Sequence, residues 1–158
     1  TGRTFVVTGD TAGRALAEEL GAEAVDDPGG GQAGAVAAGL ERAGNGAVIV
    51  VNADVPCVVP HDLRTLAGPA ELDAVGLVEA DDGTTNALVL PRASLFAALY
   101  GEGSADRFRR HFDAQGVIAV SAAIPNLCDD VDTMEDLQRV GLRAGPRTQA
   151  ALGQMVST

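Results

Sequence analysis

A chain of 158 residues, 46% of them apolar, fits one domain with a buried core and excludes a disordered tail. Eleven arginines and no lysine stand against 22 acidic residues. The net charge of -11 excludes a duplex-DNA binder, whose affinity rests on basic contacts to phosphate.

Thr4–Thr8 (TFVVT) is a short β-branched run closed by Gly9-Asp10 and reads as a buried strand. A helix follows over Thr11–Leu20, stopped by Gly21. Pro28-Gly29-Gly30-Gly31 then opens a second, Ala-rich helix over Gln32–Arg42. Ala47–Val51 (AVIVV) lacks alternation and suits a central parallel strand covered on both faces. Pro60 is placed to start a helix over Pro60–Leu66. Strands are predicted at Ala74–Val78 and Thr85–Leu90 around the turn Asp81-Asp82-Gly83, then helices over Ala93–Leu99 and Ser104–Gln115 and a strand at Val117–Val120. Thr133 and Asp136 form a capping box for a helix over Met134–Arg143, and Arg147–Gln154 reads as a last helix. Strands alternating with helices predict a single α/β domain with a mostly parallel sheet and helices on both faces. With aromatics at 3% and no Trp, the core is expected to rest on Ala, Val and Leu.

Candidate chemistry gathers at strand ends, where open α/β sheets bind ligands. Asp54 follows the most apolar strand in Asn52-Ala53-Asp54-Val55-Pro56. It either caps a turn or offers a carboxylate to Mg²⁺, which takes a few carboxylates and shares its other positions with phosphates. In Asp129-Asp130-Val131-Asp132 an extended backbone points Asp130 and Asp132 to one side and Asp129 to the other. Two like charges so placed suit a divalent cation, although Asp132 or Thr133 could equally cap the next helix. Gly101-Glu102-Gly103-Ser104 leads into a helix bearing Arg107, with Ser104 as N-cap, so the helix end could receive a small anion or be an ordinary cap. Gly29–Gly31 matches no phosphate-loop spacing; Gln32 beside it suits the border of a base pocket. His61 and His111 read as surface residues, and no G-x-S-x-G elbow supports a hydrolase triad. Cys57 and Cys128, 71 positions apart, build neither a metal knuckle nor a disulfide framework. They suit a reducing cytoplasm. The first residues carry no secretory pattern and no apolar run reaches 18 residues, so no membrane association is expected.

Taken in order, the Gly-rich loop with Gln32, NADVP (Asn52–Pro56), GTTNALVLP (Gly83–Pro91), GEGSADR (Gly101–Arg107) and DDVDTMEDL (Asp129–Leu137) resemble the CofC/FbiD guanylyltransferases of coenzyme F-420 biosynthesis. The resemblance runs from about Val6 to Leu142. It implies a GT-A-like, Rossmann-like nucleotidyltransferase joining GMP from GTP to 2-phospho-L-lactate, phosphoenolpyruvate or 3-phosphoglycerate. It further implies that Asp54, Asp130 and Asp132 are catalytic and hold Mg²⁺, and that Thr85, Gly101 and Ser104 bind the phosphorylated acid. Two departures stand out. Phe108 occupies the place of a histidine that the family carries after Arg107, and these 158 residues do not include the family's first strand and basic loop, either because that segment lies outside them or because this is a natural variant without it. An exposed sheet edge in their place makes a homodimer an expectation. Two other readings fit part of the pattern: a molybdenum-cofactor nucleotidyltransferase, from the Gly-rich loop and NADVP, and a non-catalytic binding or regulatory homologue, from the departures.

Overall fold

The computed structural model describes residues 2–155. Strand β1 (Phe5–Thr8), helix α1 (Thr11–Glu19) and strand β2 (Glu23–Asp26) form a right-sized βαβ unit whose two strands pair in parallel. Asp10 caps α1 by accepting from the Gly13 N–H at 2.5 Å. The short, charged β2 carries neither the length nor the β-branched content that marks a strand, and sequence reading passed over it.

Helix α2 (Gly31–Ala43) starts from Gly29, Gly30 and Gly31, all at positive φ, and packs on β1 and β2 while also touching β3 (Val48–Val51). It therefore lies across two sheets, β1-β2 and β3-β5-β4-β6. Helix α3 (Pro60–Glu71) has Pro60 in its first turn and continues five residues beyond the predicted Leu66. Strand β4 (Val75–Glu79) and strand β5 (Thr85–Leu90) are almost wholly buried. Strand β6 (Ala119–Ser121) closes the far edge, one to two residues later than predicted.

The directions refine the expected sheet. β3, β4 and β6 point the same way, but β5 runs against both β3 and β4, so two ladders of the larger sheet are antiparallel. β5 consequently brings its first residues, not its last, to the rim where β3 ends. Ala47–Val51 is also corrected: β3 is the outer strand of its sheet and Ile49 remains 38% exposed. Among the described residues the free edges of β1 and β3 carry no further strand, which is why an apolar run suited to the middle of a sheet is only half covered.

Helices cover both faces of the larger sheet. Helix α4 (Ser104–Ala114) seats Phe108 and Phe112 against Val75, Leu77, Leu88 and Leu90. On the other face α3 and the short α5 (Pro125–Cys128) seat Leu66 and Leu127 against Val78, Ala87 and Val89. The scarce aromatics are thus concentrated rather than absent: Phe108 and Phe112 are the largest fully buried side chains, each worth about 2–3 kcal/mol of burial. The predicted helix over Ala93–Leu99 is only a 3₁₀ turn, Ala93–Leu95: the backbone turns extended at Phe96 (ψ 139°), and beyond it the Leu99 and Tyr100 carbonyls accept from Arg107. Helix α6 (Met134–Val140) has the predicted Thr133–Asp136 capping box and stops three residues early; helix α7 (Pro146–Met155) follows. No helix among the described residues is long and apolar enough to cross a membrane.

Candidate active site

The rim at the end of β3 gathers residues from five parts of the chain. Past Val51, the chain leaves the sheet through Asn52 and Asp54, and Pro56 prevents further pairing. Three contacts with later segments fix this exit. The Val131 N–H donates to the Asp54 carbonyl at 3.0 Å, the Gly145 N–H to the Pro56 carbonyl at 3.0 Å, and the buried Cys57 thiol lies 3.9 Å from the Val140 carbonyl. The Asp54 loop and the Asp130–Asp132 segment are therefore held side by side by backbone.

The carboxylates respond to one another. Asp54 is surface-accessible, yet the protein around it displaces enough water to push its carboxyl up, and Asp132 adds repulsion. Asp130 is half-buried and is also pushed up, first by lost solvation, then by Asp132 and Asp54; a hydrogen bond with Asn86 acts the other way. Asp129 behaves oppositely, as its predicted outward direction required. Arg143 and Arg139 hold its carboxyl below the usual range, the Arg139 Nη1 at 2.5 Å, and so clamp α6 beside the acidic segment. Asp54, Asp130 and Asp132 supply only hard oxygen donors, the type Mg²⁺ takes. Among the described residues no group of three or more His, Cys, Asp or Glu side chains is placed so that it could hold a metal ion by itself.

Thr85, Gly101 and Ser104 come together on the neighbouring part of the rim. The Ser104 and Thr85 hydroxyls meet at 3.0 Å, both fully buried, and the Ser104 N–H donates to the Gly101 carbonyl at 2.9 Å. Two expectations are corrected. Gly103, in the left-handed region at φ 64°, is the N-cap of α4, while Ser104 is its first residue and turns its hydroxyl to Thr85. The helix end is not an open anion cradle either. The Ala105 N–H donates to the Gly83 carbonyl at 3.2 Å, and Arg107 donates to the carbonyls of Leu99, Tyr100 and Glu102. Arg107 shapes the Gly101–Gly103 turn instead of meeting a ligand.

Gln32, at the start of α2, donates from Nε2 to the Asn52 Oδ1 at 2.6 Å, which brings the Gly-rich loop to the same rim. Phe108 points away from it, fully buried with Tyr100 edge-on at 5.3 Å and Phe112 stacked at 6.0 Å. His61 is exposed as expected. His111 is not a plain surface residue: its ring is half-buried against Phe112, with Nε2 3.3 Å from the Leu95 carbonyl.

The family model of the MobA-like NTP transferase domain matches residues 1–119. A phosphoenolpyruvate guanylyltransferase of Geodermatophilus obscurus is 35% identical over 151 residues, covering 94% of this chain and 68% of that one. Another, from Streptomyces coelicolor, is 38% identical over 161 residues, covering 96% and 73%. The chain belongs to the CofC/FbiD guanylyltransferase family. Like other members of that family it is a nucleotidyltransferase. Solved structures agree on the fold of this guanylyltransferase-family chain. A protein assigned as a nucleotide-diphospho-sugar transferase from Desulfovibrio desulfuricans superposes with TM-score 0.65 at 14% identity, covering 86% of this chain and 63% of that one. The molybdopterin-guanine dinucleotide biosynthesis protein A of Archaeoglobus fulgidus gives 0.52 at 20%, covering 86% and 75%.

Two residues that the sequence reading did not single out also lie on this rim. Asn52 and Asn86 face each other at 3.3 Å between Gln32 and the acidic segment. Asn86 carried one usable signal, being the single amide in the otherwise apolar or β-branched run Thr85–Leu90.

Proposed function

We propose that this protein transfers GMP from GTP to phosphoenolpyruvate, or to the related acids 2-phospho-L-lactate or 3-phosphoglycerate, as a cytoplasmic step of coenzyme F-420 biosynthesis. The observation that supports the reading is that two side-chain clusters share one rim. Carboxylates gather beside the Gly-rich loop, and a buried hydroxyl pair beside a glycine turn lies on the opposite side of β5. The relatives' printed activity supports it.

In this reading Gln32 and the Gly29–Gly31 loop border the nucleotide, and Asp54, Asp130 and Asp132 hold Mg²⁺. Bound there, Mg²⁺ would neutralise phosphate charge that a chain of net charge -11 otherwise repels. Thr85 and Ser104 donate their hydroxyls to the acid, with Gly101 letting it approach the backbone. Both hydroxyls are buried, so the acid enters as the Gly101–Gly103 turn yields. A phosphate oxygen of the acid then attacks the α-phosphorus of GTP. The bond from that phosphorus to the bridging β-phosphate oxygen breaks, and pyrophosphate leaves. Positioning and charge neutralisation supply most of the acceleration.

The test is pyrophosphate release from GTP and Mg²⁺ with each of the three acids in turn, using the protein together with any residues that precede Thr1. Release with phosphoenolpyruvate, and its loss on omission of Mg²⁺, is expected. Absence of release with all three acids would overturn the reading.

A further inference from the structure

The ladder between β4 and β5 slips by one residue at the rim. Gly76 pairs with Val89, Leu77 with Leu88 and Val78 with Ala87, but Glu79 pairs with Thr85, leaving Asn86 with no partner across β4. In a regular pleat Thr85 would share a face with Ala87 and Val89, which pack against α3 and α5. Asn86 would share a face with Leu88 and Leu90, which pack against α4. The observed contacts are the reverse. Thr85 meets Ser104 of α4, and Asn86 reaches Cys128 at the end of α5. The extra residue of a β-bulge exchanges the two directions.

Asn86 is 1% exposed and engaged at both ends of its amide. Its Nδ2 donates at 3.3 Å to the carbonyl of Cys128, which leads directly into the Asp129–Asp132 segment. Its Oδ1 accepts from the Asn52 Nδ2 at 3.3 Å, and the Asn52 Oδ1 accepts from Gln32. Backbone follows the same route, since the Asn52 N–H donates to the Asn86 carbonyl at 2.9 Å. Only a primary amide serves here. Aspartate would set acceptor against acceptor and add charge beside three carboxylates, while an apolar residue would leave buried polar groups unpaired.

We propose that Asn86 is a positioning residue, aimed by the bulge, that couples the Gly29–Gln32 loop to the Asp130–Asp132 segment. The proposal rests on the reading above for what those two segments carry, but the coupling itself is a property of the unliganded protein. Amide hydrogen exchange measures it. Asn86→Ala should speed exchange by roughly 10-fold or more in both the 29–34 and 128–132 peptides while leaving 104–114 at the wild-type rate. In turnover it should lower kcat about 10–100-fold with KM for phosphoenolpyruvate within about twofold, because Thr85 and Ser104 stand on the other face. Should Asn86→Ala not fold, Asn52→Ala at the half-buried link carries the same exchange test. Faster exchange in only one of the two peptides, in none, or in all three alike would overturn the proposal. A wild-type protein that releases no pyrophosphate would sink the guanylyltransferase reading and leave the exchange result to decide the coupling.

Discussion

Asp54, which we propose holds Mg²⁺, shows how a site carboxylate can oppose stability. Its folded-state pKa is raised, so at neutral pH the ionised carboxylate is less comfortable folded than unfolded, and neutralising it relieves that penalty. Asp54→Asn should therefore raise the melting temperature by about 2 °C while lowering turnover by roughly 10³-fold. Thermal unfolding beside a pyrophosphate assay reads both, and a lower melting temperature would count Asp54 among the stabilising groups. Phe108 argues the converse. Since its position faces the core and not the rim, Phe108→His should cost about 2–4 kcal/mol, through lost apolar burial and buried ring nitrogens, without raising activity. Denaturant unfolding with the same assay checks it; a gain in turnover would return this position to the site. Asp54 stands out in sequence as an acid just past a strand; Asp130 and Asp132 stand out as a paired-acid motif, although the short helix α5, not a strand, leads into them. Asn86 escaped because its direction depends on a one-residue ladder slip that strict alternation cannot express.

Among the elements, α2 and its loop depend on one close approach. A Cβ on Gly34 would lie 2.3 Å from the Gly29 carbonyl oxygen, a backbone atom that cannot swing aside. Helix propensity alone favours Ala over Gly by about 1 kcal/mol, but a clash this deep outweighs it. Gly34→Ala is expected to destabilise by about 1–3 kcal/mol and to raise KM for GTP, by displacing the loop that carries Gln32. Denaturant unfolding and GTP saturation curves measure the two effects, and a stabilised variant would show that the loop yields freely. The β-run Thr85–Leu90 and the Thr133 capping box were legible because each rests on local chemistry. The helix expected at Ala93–Leu99 is cut to one 3₁₀ turn where Phe96 turns extended and packs against the core cluster of Val75, Leu88 and Phe108, a tertiary contact that local pattern does not carry.

At the scale of the whole molecule, two sets of carboxylates respond to acid in opposite senses. Glu23 is held below the ordinary range by Arg42 and then Arg3, Asp82 by Thr84, Asp129 by Arg143 and then Arg139, and Asp136 by Thr133. With folded pKa values depressed, their stabilising contribution is present above the unfolded values and is lost as pH falls through the folded ones. Asp54 and Asp130, shifted upward, take up protons first. On acidification from pH 7, Mg²⁺ affinity should therefore fall while the melting temperature rises slightly, as protonation relieves the penalty on Asp54 and Asp130, and the melting temperature should fall only below about pH 4. Calorimetric Mg²⁺ titration and thermal scans at matched pH test the order; simultaneous loss would mean that the upward-shifted pair does not hold the ion.

Local information was enough to set the α/β alternation, most strand and helix positions and the family, because periodicity, caps and contiguous motifs are written along the chain. Only the tertiary structure decided that β5 runs against its neighbours, that Ser104 turns inward to Thr85, that Arg107 serves the backbone, and that a bulge aims Asn86 toward Asn52 and the acidic segment. These depend on which strand pairs with which and in what register, and pairing energy between segments distant in sequence leaves no periodic trace in either one.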